Sequence, residues 1–234
     1  MTEVSLSYAK IVQTEHHELA LMAEVQPILC KDTIKKLLFV VKTSKIMAKV
    51  YEFLADGFEE VEALAPVDIL RRGGMDVKTV SITGDNFVET SHGITIKTDL
   101  KFEDITDFGD VDAMLLPGGL PGATNLNKHK GLRAALLAQY ESGKYVAAIC
   151  AAPLVLGSIG ILQGKRATCY PGFEKRMTGA TYTEELVTID GNIITGKGPG
   201  ASFAFGYAIL GQFVSPEAVR QLQQQMMYLP SQGE

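Results

Sequence analysis

From residue 47 onward, apolar positions fall into short runs separated by turn residues, and the runs switch between two periods. AKVYEFLA (48–55) has the length and apolar density of a buried strand. Asp56-Gly57 supplies a turn. Val61, Leu64, Ala65, Val67, Ile69 and Leu70 then mark a helix that Gly73-Gly74 ends. MDVKTVSI (75–82) alternates as a strand does, GDN turns the chain, and GITIKTDL (93–100) reads as a further strand. VDAMLLPGG (111–119) is an apolar strand running into a glycine pair. Residues 128–142 predict a helix stopped by Gly143. KYVAAI predicts a strand, the segment after Cys150 a helix, and RATCY (166–170) a short strand. LVTIDGNIITGK reads as a hairpin turning at Asp190-Gly191. ASFAFGYAILGQFV reads as an apolar helix, and Ser215-Pro216 opens the last one.

Strands alternating with helices predict βαβ units, hence an α/β fold whose mostly parallel sheet carries helices on both faces. In such sheets sites lie beyond the carboxyl ends of the strands. Three loops belong at that edge: Asp56–Glu62, Pro117–Thr124 and Cys150–Pro153. Residues 1–46 have weak periodicity and no clear turn chemistry. They are expected to form an N-terminal extension, poorly structured or not part of the core, with a helical segment that docks on the domain or a partner as the alternative, and 47–234 as the compact domain.

Composition narrows the function classes. The 234 residues carry a formal net charge of −5, with no Lys/Arg run, which argues against phosphate-backbone binding. No 18-residue apolar run predicts a membrane span, and no basic start followed by an apolar stretch predicts a secretory signal. Three cysteines, Cys30, Cys150 and Cys169, without a CxxC pair, argue against a disulfide framework or structural zinc. They favour a reducing compartment, the cytoplasm, and no metal or other cofactor is expected.

The chemistry concentrates at Cys150. A thiol between a strand and a helix faces free backbone N–H groups and a positive dipole end, which favours the thiolate. Pro153 suits a first helical turn. The arrangement is that of a nucleophile elbow, with Ala151 and Ala152 in place of the usual glycines. PGGLPG (117–122) is neither a dinucleotide fingerprint nor a P-loop, but its backbone N–H groups can hold an oxyanion. Glu59, Glu60 and Glu62 suit a helix start. Glu62 lies on the inward half of that helix, where burial raises a carboxyl's pKa and suits it to general acid/base work. All four histidines precede Cys150; His92 is placed beside a strand start or an interface, as an auxiliary candidate. Cys169 reads as packing or as a second redox thiol.

Together ADGFEEVEALAPVDILRRGG, LLPGGLPGATNL, AAICAAPLVL and GKGPGASFAF resemble the ThiJ/PfpI superfamily, in particular its DJ-1 branch, which holds the Parkinson-disease protein and YajL-type proteins. The resemblance covers about residues 48–226. It implies a flavodoxin-like, doubly wound sheet, similar to class I glutamine amidotransferases, in a homodimer. It places the nucleophile at Cys150, a protonated partner carboxyl at Glu62, and oxyanion-binding amides at Gly119 and Ala151 with Gly118 beside them. The implied activity is glutathione-independent conversion of methylglyoxal-type 2-oxoaldehydes to 2-hydroxy acids, with repair of early glycation adducts on proteins and nucleotides. The alternative is an oxidative-stress sensor or chaperone acting through Cys150 oxidation. An isonitrile hydratase or amidase is a weaker match because the histidines it would use are missing, and a protease because the residue after the nucleophile is Ala151 rather than His. Two departures stand out: Tyr170 occupies the position of the branch's histidine, and Lys197 that of its arginine.

Overall fold

The computed structural model describes residues 48–228. The expectation for residues 1–46, and Cys30 with it, lies outside the described residues. The elements run β1 (Lys49–Leu54), α1 (Glu60–Arg72), β2 (Asp76–Ser81), β3 (Phe87–Glu89), β4 (Thr95–Lys97), β5 (Leu100–Lys101), β6 (Ala113–Leu116), α2 (Gly122–Lys128) and α3 (Lys130–Glu141). They continue with β7 (Tyr145–Ile149), α4 (Pro153–Ser158), β8 (Arg166–Ala167), β9 (Thr181–Tyr182), β10 (Val187–Asp190), β11 (Ile193–Gly196), α5 (Ser202–Leu210) and α6 (Pro216–Gln225).

Seven strands form one sheet in the order β10-β11-β7-β6-β1-β2-β5. Every pairing in it is parallel except β10 with β11. The chain winds outward from β1 to β2 and β5, then returns to β6 and winds the other way through β7 to β11. The order therefore reverses between β1 and β6, the crevice where doubly wound folds place ligands. The central strands are buried on both faces, which explains why VYEFL, AMLL and VAAI read as continuous runs rather than alternations.

Helix α1 starts where Glu59 caps it: the Glu59 carboxylate accepts the amide of Glu62 at 2.7 Å. Acids in its first turn and Arg71 and Arg72 in its last complement the helix dipole. It packs against α5 at close range, since a Cβ on Gly206 would lie 2.8 Å from Ile69 Cδ1. Its outer face leaves Val61 and Leu64, three positions apart, partly exposed. These two therefore mark the helix without lying in the core.

Four local expectations need correction. GITIKTDL is not one strand. Thr95–Lys97 pairs with β3 in a separate ribbon, and Leu100–Lys101 joins the edge of the main sheet. Between them Thr98 and Asp99 turn the chain, Thr98 bonding Asn86 and Leu100 carbonyls and Asp99 accepting from Thr79 and Arg71. In RATCY only Arg166–Ala167 is strand; Thr168 and Tyr170 spend their amides on the Thr195 hydroxyl and the Cys150 carbonyl instead of a ladder. The predicted 128–142 helix starts at Lys130, because His129 caps it by accepting the Leu132 amide on Nδ1 at 3.0 Å, and a separate helix, α2, precedes it. The hairpin turns at Gly191-Asn192, one residue later than expected, with Gly191 at φ 62°.

Candidate active site

The carboxyl ends of β1, β6 and β7 bring the three predicted loops together. Cys150 follows β7 directly and adopts φ 65°, a left-handed conformation uncommon for a residue with a side chain. Such a residue costs about 1–2 kcal/mol unless its surroundings dictate the geometry. Both of its peptide groups are fixed here. Its N–H donates to the Gly196 carbonyl at 2.9 Å, and its carbonyl accepts the Tyr170 amide at 2.9 Å. The residue is 9% exposed, against 0% for Cys169.

Glu62 reaches the same point from the first turn of α1 and is 0% exposed. Its Oε2 accepts the Gly118 amide at 2.9 Å. Its Oε1 is equally buried and makes no hydrogen bond. A buried oxygen with no partner is costly in a structural role and useful in a chemical one, because it is free to exchange a proton with the thiol or a substrate. The carboxyl's pKa is raised to about 7: burial and, less strongly, nearby Glu59 raise it, while the thiol and the Gly118 amide oppose the rise.

Gly118 decides how close these groups come. A Cβ there would fall 2.6 Å from Glu62 Oε2, 2.7 Å from Cys150 Cβ and 2.9 Å from the Ala151 nitrogen. Its amide donates to Glu62 Oε2. The amides that lower the thiol's pKa are those of Gly119 and Ala151. Gly119 sits at φ 84°, and Gly57 and Glu59 backbone leaves no space for a side chain there.

The thiol itself departs from the expected depressed pKa. Burial raises it, and the charge of an ionised Glu62 raises it further; the Gly119 and Ala151 amides only partly offset this. A helix start of six residues does not outweigh desolvation. The sign of the Glu62 contribution depends on its proton. Once protonated, the carboxyl can donate to the sulfur and favour the thiolate. The titrations of Cys150 and Glu62 are thus coupled.

The remaining candidates lie elsewhere. His92 is 67% exposed and pairs with Glu60 at 2.9 Å, which raises the imidazole's pKa and lowers that of the carboxylate. Glu59, Glu60 and His92 bring ligand atoms within 4.8 Å of one another at the entrance to α1. Tyr170 contributes its backbone to the elbow, and its ring packs against Gly198. Cys169 is fully buried, its thiol pushed up to about 12 by burial and the Glu174 charge. Sequence reasoning missed Gly196, whose carbonyl holds the Cys150 amide, and the capping role of Glu59. The strand ending at Gly196 immediately before Lys197-Gly198-Pro199 was the available signal for the first.

The pattern described as the DJ-1/PfpI family matches residues 48–212. An Arabidopsis thaliana protein, DJ-1 homolog B, is 39% identical over 82% of this chain and 43% of its own length. The chain thus spans less than half of that relative. A Pyrococcus abyssi deglycase is 35% identical over 64% of this chain and 90% of its own. The structure of oxidized Toxoplasma gondii DJ-1 superposes with a TM-score of 0.75 at 31% identity, covering 78% of this chain and all of that one.

Proposed function

The chain belongs to the DJ-1/PfpI family, and from that footing we propose that it is a cysteine-dependent, glutathione-independent glyoxalase and deglycase. Its substrates are methylglyoxal-type 2-oxoaldehydes and their early adducts on proteins and nucleotides. The observation that carries this reading is the free, buried Oε1 of Glu62 on a carboxyl that titrates near neutrality beside the elbow thiol. The Pyrococcus relative's name points the same way.

The chemistry balances without an external oxidant. The Cys150 sulfur bonds to the aldehyde carbon, and its proton passes through Glu62 to the aldehyde oxygen, giving a hemithioacetal. The amides of Gly119 and Ala151 hold that oxygen as it gains charge. Glu62 then removes the C1 hydrogen as a proton and returns it to C2, while the C1 hydroxyl proton passes to the C2 oxygen. The thiol-bearing carbon is oxidised to a thioester while the neighbouring ketone is reduced to an alcohol. Water cleaves the thioester, releasing a 2-hydroxy acid and restoring the thiol. A pKa near 7 suits Glu62 to both directions of transfer. The test is conversion of methylglyoxal to lactate by purified protein without glutathione. Turnover lost in Cys150→Ser supports the mechanism, and turnover retained there overturns it.

A second reading is oxidation sensing. Cys150 borders solvent whereas Cys169 is sealed, so peroxide would add two oxygens at Cys150. Peptide mass spectrometry after peroxide treatment tests this; even oxidation of the cysteines would refute it. As family resemblance implies, the protein acts as a homodimer, and the outward-facing Val61 and Leu64 of α1 suit such a contact. No described helix is long and apolar enough to cross a membrane. A working thiol favours a reducing compartment, and we place the protein in the cytoplasm.

A further inference from the structure

Glu59 stands where the loop after β1 becomes α1, and its amide, carbonyl and carboxylate each have a partner. The amide donates to the Gly118 carbonyl at 3.1 Å, and the carbonyl accepts the Ala63 amide at 3.2 Å. The carboxylate accepts the Glu62 amide at 2.7 Å. Glu62 in turn accepts the Gly118 amide at 2.9 Å. Glu59, Glu62 and Gly118 therefore close a ring of hydrogen bonds that ties the start of α1 to the loop after β6.

The ring fixes a direction as well as a position. In a trans peptide the carbonyl and the following N–H point to opposite sides. With the Gly118 carbonyl held by Glu59, the Gly119 N–H is turned the other way, and this amide is one of the two that favour the Cys150 thiolate.

Capping α1 does not by itself require a glutamate, since Ser, Thr, Asp and Asn are the preferred caps. What glutamate adds is a partly buried negative charge beside the fully buried Glu62. Two neighbouring carboxyls resist ionising together, and the more deeply buried one keeps its proton. The other titratable groups that face this pair are Glu60 on the same helix, Cys150 from the elbow, and His92 from the turn between β3 and β4. His92 is paired with Glu60 at 2.9 Å.

We propose that Glu59 is a positioning residue for the thiol–carboxyl site: its backbone aims the Gly119 amide, its carboxylate anchors Glu62, and its negative charge holds the proton on Glu62. It acts through Gly118 and Glu62 rather than on the substrate. The proposal rests on the glyoxalase reading only for its effect on turnover, because the Glu62 proton is followed without substrate.

Protein carrying isotope-labelled glutamate carboxyls is titrated by carbon NMR, with Glu62→Gln identifying the resonance. In the parent, Glu62 should titrate at about pH 7. Glu59→Gln and Glu59→Ser keep a cap acceptor and remove the charge, so both should lower that midpoint by about one pH unit. Glu59→Asp keeps cap and charge and should hold the midpoint near the parent's. The pH profile of kcat for methylglyoxal should move with the midpoint, while KM stays within about twofold.

An unmoved midpoint in folded Glu59→Gln and Glu59→Ser would overturn the proposal and leave the glyoxalase reading standing. An equal fall in Glu59→Asp would assign the effect to local structure rather than charge, and would overturn it too. So would a fall that disappears in a His92→Ala background, since the imidazole would then be its source. A midpoint that moves as expected, in a protein without cysteine-dependent turnover of methylglyoxal, would sustain the proposal for the thiol–carboxyl pair and overturn the glyoxalase reading.

Discussion

Oε2 of Glu62 accepts the Gly118 amide at 2.9 Å, joining the first turn of α1 to the loop after β6 across 56 positions of sequence. This bond fixes which carboxyl oxygen is spent on structure and which remains for chemistry. It also brings the Gly118 backbone so near to Cys150 that no side chain fits between the two catalytic candidates.

Gly118→Ala should therefore act on the site through a single methyl group. The added carbon must displace Glu62, Cys150 or the Ala151 amide. Overpacking of this kind costs about 1–3 kcal/mol. The variant should lose at least about 100-fold in kcat for methylglyoxal, because small misplacements at a reacting centre are expensive. Steady-state kinetics alongside a denaturant midpoint separate the two effects.

Glu62→Gln should lower kcat by about 10²–10⁴, the range for loss of a positioned acid/base. The stability consequence has a definite sign. With a folded pKa of about 7 against an ordinary 4.5, the native state binds more protons than the unfolded state between those values. Stability therefore falls as pH rises from about 4.5 to 7 and levels off above it. The contribution is about 3 kcal/mol at most, before allowing for residual solvent access. Glutamine removes the ionisation, so the variant should gain stability relative to the parent at pH 8 but not at pH 4. Thermal melts at the two pH values would decide this.

Glu52 lies on the central strand β1, 1% exposed, with Oε2 unpartnered. Burial raises its pKa well above the ordinary range, and the charge of Arg71 only partly counters it. Its carboxyl has no part in the proposed chemistry. Glu52→Leu should raise stability at neutral pH by about 1–3 kcal/mol while leaving kcat/KM within twofold. A lower denaturant midpoint would show that Glu52 has a partner essential to the fold.

His92→Ala should leave turnover within about twofold. The imidazole is exposed and engaged with Glu60 rather than with Cys150. A tenfold loss in kcat would restore His92 to the chemistry and require a route from Glu60 to the thiol.

Much of this protein is legible in one dimension. The buried strands announce themselves as apolar runs because a parallel sheet covered on both faces needs no polar side. Cys150 and the glycines after β6 stand at strand ends, and Glu62 in the helix turn after the β1 loop, where an alternating α/β chain must place its sites. Individual side-chain hydrogen bonds were less legible. The split of GITIKTDL depends on Thr98 and Asp99 finding partners at Asn86, Thr79 and Arg71, and the start of α3 depends on the ring of His129. Sequence alone determined which residues could meet, because local period sets the order of strands, helices and turns. Only the tertiary structure decided what they do on meeting. It spends the Gly118 amide on Glu62, leaves one carboxyl oxygen free, pairs His92 with Glu60, and raises rather than lowers the thiol's proton affinity. Those outcomes turn on burial and distance between segments far apart in the chain, and desolvation in a closed crevice outweighs the dipole of a short helix.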